Sequence, residues 1–128
     1  MLCRMTPCRS RHTSSYQAGV AAEQHVAEVL RRRRYDVLAQ RYRTEAGEID
    51  IIAREGSILH IIEVKRRKKL HDARQCLSLR QRQRIERSAE IFAAEHPSYA
   101  GCDWQFDVVF VTNHETRWLE RAWIVGAE

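Results

Sequence analysis

Three acidic residues and one lysine, Glu48, Asp50, Glu63 and Lys65, lie in two short apolar stretches of the sequence. Within each stretch the two polar residues are two positions apart, and in a β-strand this spacing places both side chains on the same face. Mg²⁺ commonly binds one or two carboxylates and leaves its other positions to water and phosphate oxygens. A lysine beside such a pair can hold an attacking water or stabilise charge that develops on a phosphate. The four residues therefore predict a site for a divalent metal and for phosphate chemistry.

Two β-strands joined by a tight turn are the elements that must position these residues. Residues 48–53 and 58–65 are rich in isoleucine, as is typical of buried strands. The Gly-Ser pair at 56–57 favours a two-residue hairpin turn, because glycine tolerates the positive φ that such turns require. A turn at this point fixes the register of the hairpin, and in that register Asp50 faces Glu63.

The predicted opposition of Asp50 and Glu63 needs an explanation, because like charges at directly opposed strand positions destabilise a sheet. A bound divalent cation supplies one, since it converts the repulsion into chelation. The alternative is a set of salt bridges with Lys65 on an exposed sheet face, and the residues alone leave both interpretations open. Glu23 is a further candidate, because it shares the apolar face of the first predicted helix. It is either an additional metal ligand or the partner of an arginine or a backbone group at the start of the helix.

The hydrophobic pattern along the chain predicts an α/β domain in which a mixed sheet is flanked by helices. Helical periodicity covers residues 15 to about 34 and residues 75–95, and the second helix ends before Pro97. Five β-rich stretches complete the order α-β-β-β-α-β-β, and they lie at residues 35–43, 48–53, 58–65, 106–112 and 118–125. We expect residues 1–15 to be a flexible basic tail and residues 16–128 to form one domain.

Length and charge narrow the class of function. The 128 residues suit a single domain, and no apolar run reaches the ~20 residues that a membrane-spanning helix needs. The net charge of +5 is concentrated between residues 65 and 87, where ten basic residues face two acidic ones. Such clustering is typical of proteins that bind the phosphate backbone, although a solvated basic face is the alternative. The basic residues assigned to nucleic acid are Arg66, Arg67, Lys68, Lys69, Arg80, Arg84 and Arg87.

Other residues with chemical potential receive structural roles. Asp107 alternates with apolar neighbours and is interpreted as a buried residue paired with an arginine rather than as a ligand. The six histidines show no metal-ligand spacing and are given no role. The four cysteines form no CxxC pair, which favours reduced thiols in the cytoplasm.

Taken in order, these motifs resemble the YraN-like bacterial proteins. The resemblance covers residues 16–112 and rests on Glu23 in the first helix, the Gly-Glu-Ile-Asp sequence at 47–50, the Glu-Val-Lys sequence at 63–65 and the Phe-Asp-Val sequence at 106–108. That family is related to the archaeal Holliday junction resolvases and has the restriction-endonuclease-like fold of the PD-(D/E)XK superfamily.

The resemblance implies metal-dependent hydrolysis of a phosphodiester bond, with Mg²⁺ or Mn²⁺ as the cofactor and branched or structured DNA as the substrate. It matches Asp50, Glu63 and Lys65 to the catalytic positions, and it adds Glu23 and Glu48 to the site, with Asp50, Glu63 and Glu23 as metal ligands. Junction resolution would favour a homodimer with two sites. The alternative function is a module on the same fold that holds nucleic acid without cutting it.

The sequence departs from the family pattern at three positions. His71 stands where a glycine is usual, Gln81 where a lysine is usual, and Gln105 where an arginine is usual before the Phe-Asp sequence. None of these departures removes a predicted metal ligand, but the last two put backbone contacts and the ordering of the site in doubt.

Overall fold

The computed structural model describes residues 15–67, 77–113 and 115–125. Their elements follow the predicted order α-β-β-β-α-β-β. In chain order they are helix α1 (Ser15–Arg32), strands β1 (Asp36–Arg43), β2 (Glu48–Glu55) and β3 (Ile58–Arg66), helix α2 (Leu79–Glu95), a 3-10 turn (Pro97–Tyr99), and strands β4 (Asp103–Val111) and β5 (Thr116–Trp123). The predicted tail, apart from Ser15, lies outside the described residues.

The five strands form one mixed sheet in the order β1-β2-β3-β4-β5. Strands β3 and β4 are parallel, because helix α2 carries the chain from one to the other, and the other neighbouring pairs are antiparallel. This is the α/β architecture that the sequence predicts and that a restriction-endonuclease-like fold requires.

Each face of the sheet is covered by one helix. On one face, α1 packs Val26, Ala27 and Leu30 against Ile51 and Ile62. On the other face, α2 packs a second apolar set, whose buried members include Ile85, Ala89 and Phe92 from the helix and Ile52, Ile61 and Phe106 from the sheet. The two helical stripes are those that the 3.6-residue periodicity predicts.

The predicted hairpin turn is confirmed. Gly56 has a φ of 59°, and Gly56 and Ser57 are the two turn residues between β2 and β3. The β2–β3 pairing runs from Glu55 opposite Ile58 to Ile51 opposite Ile62, which is the predicted register. The strands that carry the predicted site are therefore aligned as the turn requires.

Several predicted boundaries are wrong. Helix α2 begins at Leu79 rather than at residue 75, because Ser78 is its N-cap and forms a reciprocal capping box with Gln81. Strand β4 begins at Asp103 rather than at residue 106, because its pairing with β3 starts there. Strand β5 spans Thr116–Trp123 rather than residues 118–125.

The capping box gives a stability prediction. Replacing Ser78 with alanine removes the hydroxyl that accepts from the Gln81 amide at 3.1 Å, so we expect the free energy of unfolding to fall by about 1 kcal/mol. Urea denaturation measures this change, and Ser98→Ala in the exposed 3-10 turn is the matched control. Equal effects of the two substitutions would contradict a capping role for Ser78.

A carboxylate pair and its neighbouring basic surface

Asp50 lies where the regular pairing between β2 and β3 stops. The last paired residues are Ile51 and Ile62, and beyond them the backbone N–H of Val64 donates to Oδ2 of Asp50 at 2.8 Å. The side chain of one strand thus takes the place of a backbone acceptor for the other. Because Asp50 is buried, this bond fixes its carboxylate against β3.

Glu63 and Lys65 complete the group on β3. Nζ of Lys65 lies 3.3 Å from Oε2 of Glu63, and the carboxyl groups of Glu63 and Asp50 interact electrostatically. Burial and the negative charge of Asp50 raise the pKa of Glu63 to about 8, and Lys65 lowers it only in part. Burial also raises the pKa of Asp50. The structure therefore brings together the three residues that the hairpin register placed side by side.

Glu23 approaches the group from helix α1. It is buried, and its Oε1 accepts from Nη1 of Arg41 at 3.1 Å. Burial first, and then the charge of Asp50, raise the pKa of Glu23 to about 7 despite the nearby guanidinium. The partner of Glu23 is an arginine, as one interpretation predicted, but it lies on β1 and not at the start of the helix. Glu23 also interacts electrostatically with Asp50.

Glu48 lies at the edge of the group. It pairs with Arg43 of β1, whose Nε is 2.9 Å from Oε2 of Glu48, and it is only partly buried. Its charge contributes to the raised pKa values of Glu23 and Asp50. Glu48 is therefore a peripheral member of the site rather than one of its central carboxylates.

Two arginines of β1, Arg41 and Arg43, contact the acidic residues although the sequence pattern did not predict them as members of the site. Arg41 has a φ of 51° and stands between the paired positions Gln40 and Tyr42. This left-handed conformation interrupts the strand at the level of Asp50. There the side chain of Arg41 contacts Glu23. The alternation of Arg41 and Arg43 in a strand beside the Glu-Ile-Asp sequence indicates basic side chains near the carboxylates, but it does not identify which carboxylate each arginine contacts.

The carboxylate oxygens of Asp50 and Glu63 fit a hard divalent cation in number and type. The charge of Asp50 raises the pKa of the adjacent Glu63, and chelation of a cation would remove this repulsion. One or two carboxylates are what Mg²⁺ commonly takes from a protein. Within residues 15–67, 77–113 and 115–125, no group of three or more His, Cys, Asp and Glu side chains is arranged to hold a metal. Metal binding by Asp50 and Glu63, and Glu23 as a third ligand, therefore stay predictions.

The predicted basic residues that the structure describes have exposed side chains. Arg66 and Arg67 follow Lys65 directly and are exposed, whereas Lys68 and Lys69 lie outside the described residues. On α2, the three predicted arginines Arg80, Arg84 and Arg87 are all exposed.

Helix α2 lies against the loop that enters β2. A Cβ atom built on Gly47 would lie 3.4 Å from Cβ of Arg84, and the hydroxyls of Thr44 and Ser88 are 2.9 Å apart. Because Gly47 directly precedes Glu48, this contact places Arg84 beside the start of β2. Arg87 forms an ion pair with Glu90 at 3.0 Å, so Arg80 and Arg84 are the stronger candidates for phosphate contacts.

Asp107 is buried as predicted, but its arginine contact is different. Its carboxylate accepts from Nε2 of Gln105 at 3.0 Å and from the backbone N–H of Arg121 at 2.9 Å, and it lies 2.8 Å from Nδ1 of His60. The prediction of a guanidinium partner is wrong. The strand bulges at Arg121, which has a φ of 52°, and the backbone N–H of this residue rather than its guanidinium contacts Asp107. His60, which was given no role, could have been noticed as the polar residue inside an apolar strand.

None of the helices in the described ranges is long and apolar enough to cross a membrane.

Comparison with known proteins gives a consistent family. The model of the uncharacterised protein family UPF0102 matches residues 22–111. A UPF0102 protein of Azorhizobium caulinodans is 42% identical over 106 residues, which cover 83% of this chain and 81% of the relative. A UPF0102 protein of Rhodopseudomonas palustris is 37% identical over 106 residues, with the same coverage of both chains. The chain therefore belongs to the family UPF0102, which is the YraN-like family that its motifs resemble.

Proposed function

We propose that this protein is a metal-dependent nuclease that hydrolyses phosphodiester bonds in branched or structured DNA. The observation that carries the proposal is the adjacency of Asp50, Glu63 and Lys65 at the end of the β2–β3 pairing. Buried carboxyls with raised pKa values are costly to a fold, and they are characteristic of functional sites.

Each residue of the group has a distinct part in the proposed reaction. Asp50 is held in place by the Val64 amide, and together with Glu63 it would bind Mg²⁺ or Mn²⁺. The bound cation would supply Lewis acidity at the phosphate. Lys65, beside Glu63, is positioned to hold the attacking water and to stabilise the charge that develops on the phosphate oxygens. Glu23 and Glu48 add negative charge around this centre.

The exposed arginines would bind the DNA backbone on either side of the carboxylate group. Arg66 and Arg67 extend from the strand that carries Lys65, and Arg84 lies against Gly47 at the start of the other strand. Phosphate contacts of this kind give affinity and orientation but carry no sequence information. This agrees with a substrate that is recognised by its shape.

A non-catalytic DNA-binding module is the second candidate. The observation that favours it is the ion pair between Glu23 and Arg41, which engages a predicted metal ligand. The basic surface would serve both functions, whereas only the nuclease needs Asp50, Glu63 and Lys65 together.

A cleavage and binding assay separates the two candidates. Purified protein is incubated with Holliday junction, flap and linear DNA, with Mg²⁺, with Mn²⁺, or with a chelator, while binding is measured in parallel without metal. The nuclease predicts metal-dependent products from the branched substrates. Binding to junctions with no product under any metal condition would favour the binding module.

If the basic surface binds DNA, the affinity of one variant for DNA should depend less on salt concentration. Arg80→Ala with Arg84→Ala removes two phosphate contacts, so we expect the slope of log affinity against log salt to decrease by about 2 for every DNA sequence. Fluorescence anisotropy at several salt concentrations measures the slope. Arg117→Ala on β5, whose arginine is exposed and pairs with Glu115, is the matched control. An unchanged slope in the double variant would remove α2 from the binding surface.

We also propose a cytoplasmic location. Cys102 is a free thiol in the structure, and reduced thiols are the rule in that compartment.

A further inference from the structure

Four consecutive arginines lie at the end of helix α1, and we call them the arginine row: Arg31, Arg32, Arg33 and Arg34. All four residues are exposed. None of the ion pairs within the described residues includes a member of the row, whereas Arg41, Arg43 and Arg117 each pair with a glutamate. The row therefore concentrates positive charge without carboxylate partners, and it is separate from the arginines assigned to DNA above.

The arginine row extends across the sheet. Nη2 of Arg31 donates to Oε1 of Gln40 on β1 at 3.1 Å, and the guanidinium of Arg33 lies 5.3 Å from the centre of the Trp118 ring on β5. Strands β1 and β5 are the two edges of the sheet, and four inter-strand steps separate them by about 19 Å. Because duplex DNA carries one negative charge for every ~1.7 Å of its axis, a row of this width can contact several phosphates.

The backbone of Arg34 is in the left-handed region, with a φ of 68°. The Tyr35 amide donates to the Leu30 carbonyl and the Arg34 amide to the Arg31 carbonyl, both at 3.0 Å, which is a Schellman motif. The left-handed position of this motif usually holds glycine, because a side chain there costs stability. The helix dipole accounts for Arg31 and Arg32 in the last turn, but it does not account for arginine at this position. Residues in unfavourable backbone conformations cluster at functional sites, so we assign a function to the charge of Arg34.

The arginine row lies far from the arginines of α2. At the start of β2, Gly47 lies against Arg84, whereas at the other end Arg54 pairs with Asp36, two residues after the row. The eight residues of β2 span about 26 Å. Helices α1 and α2 also cover opposite faces of the sheet. A straight duplex on one surface therefore does not reach the other, and bending it around the domain would cost energy.

We propose that the arginine row binds the phosphate backbone of a second DNA duplex while Arg80 and Arg84 bind the first. The proposal rests on the DNA binding proposed above but not on cleavage. One molecule then holds two arms of a branched DNA, or two separate duplexes. Phosphate contacts carry no sequence information, so the separation of the two surfaces, rather than any base contact, favours a branched substrate.

A bridging assay tests the proposal. A duplex fixed to beads is incubated with the full chain and with a second, fluorescent duplex of unrelated sequence, at about 0.1 M salt. The fluorescence recovered on the beads measures bridging, and fluorescence anisotropy with one duplex measures simple binding. We expect the unmodified protein to recover the second duplex.

Arg32→Gln with Arg34→Gly is the decisive variant. It leaves the contacts of Arg31 with Gln40 and of Arg33 with Trp118 in place. The melting temperature should not fall, because glycine is the usual residue at position 34 of this motif. Each lost phosphate contact weakens binding by about tenfold at ~0.1 M salt, so bridging should fall at least tenfold while the surface on α2 still binds one duplex.

Two further variants complete the comparison. Arg80→Ala with Arg84→Ala should also stop bridging and still bind one duplex, through the arginine row. Arg34→Gly alone removes one exposed charge and should reduce bridging. Its matched control is Arg117→Gln, which removes one exposed charge outside the row and should bridge as the unmodified protein does.

Bridging that survives Arg32→Gln with Arg34→Gly would overturn the proposal, because a dimer that uses the α2 surface twice would give that result. An equal loss in Arg34→Gly and Arg117→Gln would overturn it as well. An unmodified protein that binds one duplex but never bridges two would overturn this proposal alone and leave the proposed nuclease intact. A protein that binds no DNA in either measurement would overturn both.

Discussion

Replacing Asp50 with asparagine is expected to lower the rate of phosphodiester cleavage about a thousandfold. The substitution keeps the shape of the side chain and an oxygen for the Val64 amide, but it removes the charge that would bind the cation. A bound metal contributes several kcal/mol to the stabilisation of such a transition state, and each ~1.4 kcal/mol changes the rate tenfold. Single-turnover cleavage of junction DNA at saturating Mg²⁺ measures the rate.

The matched control is Asp103→Asn, because Asp103 is an exposed aspartate at the start of β4. It should cut DNA at the rate of the unmodified protein, and both variants should bind junction DNA in the absence of metal. If Asp50→Asn cuts as fast as the control, the carboxylate pair is not the catalytic centre.

The second large effect concerns stability. We compare the free energy of unfolding of Glu63→Gln with that of the unmodified protein, both without metal. The difference is expected to be about 1–3 kcal/mol more in favour of the variant at pH 8 than at pH 5. In the folded chain burial and the charge of Asp50 raise the pKa of Glu63 from its ordinary value of 4.5 to about 8. Between these values the unfolded state has lost its proton and the folded state has kept it. The stability contributed by Glu63 is therefore fully present below pH 4.5 and is lost as the pH rises through 8, whereas glutamine cannot ionise.

Urea denaturation from pH 5 to pH 8.5 in the presence of a chelator measures this difference. Glu90→Gln, which changes an exposed glutamate on α2, should give a difference that does not depend on pH. Mg²⁺ should raise the melting temperature of the unmodified protein more than that of Glu63→Gln, because a ligand stabilises the state that binds it. A flat difference for Glu63→Gln would show that Glu63 ionises normally in the folded protein.

The hairpin was predictable because its information is local. The Gly-Ser turn fixes the register, and the register places Asp50 beside Glu63. The element order and the two helical stripes were also predictable, since periodicity reports directly which residues are buried. The partner of Glu23 could be predicted as a type, an arginine, but not as Arg41, because nothing in the local sequence demands a positive φ at that residue.

The His60–Asp107 pair was not predictable from the sequence. The two residues are 47 positions apart, and they meet because β3 and β4 are parallel neighbours joined through α2. Parallel pairing leaves no turn from which a register can be counted. The start of α2 was missed for a different reason: helical propensity extends upstream of Ser78, whereas the capping box determines where the helix begins.

Strand β3 carries Glu63 and Lys65 near its C-terminal end, so the proposed catalytic site depends on the placement of this strand in the sheet. Its partner β4 begins 45 residues later in the chain, with Ile58 opposite Asp103. Contacts so distant in sequence form slowly, because closing the intervening loop costs entropy before the paired strands contribute any stability. During synthesis, all the proposed catalytic residues are made before β4. We therefore expect the nascent chain to be inactive until β4 has paired with β3, so that cutting ability appears only with the completed sheet.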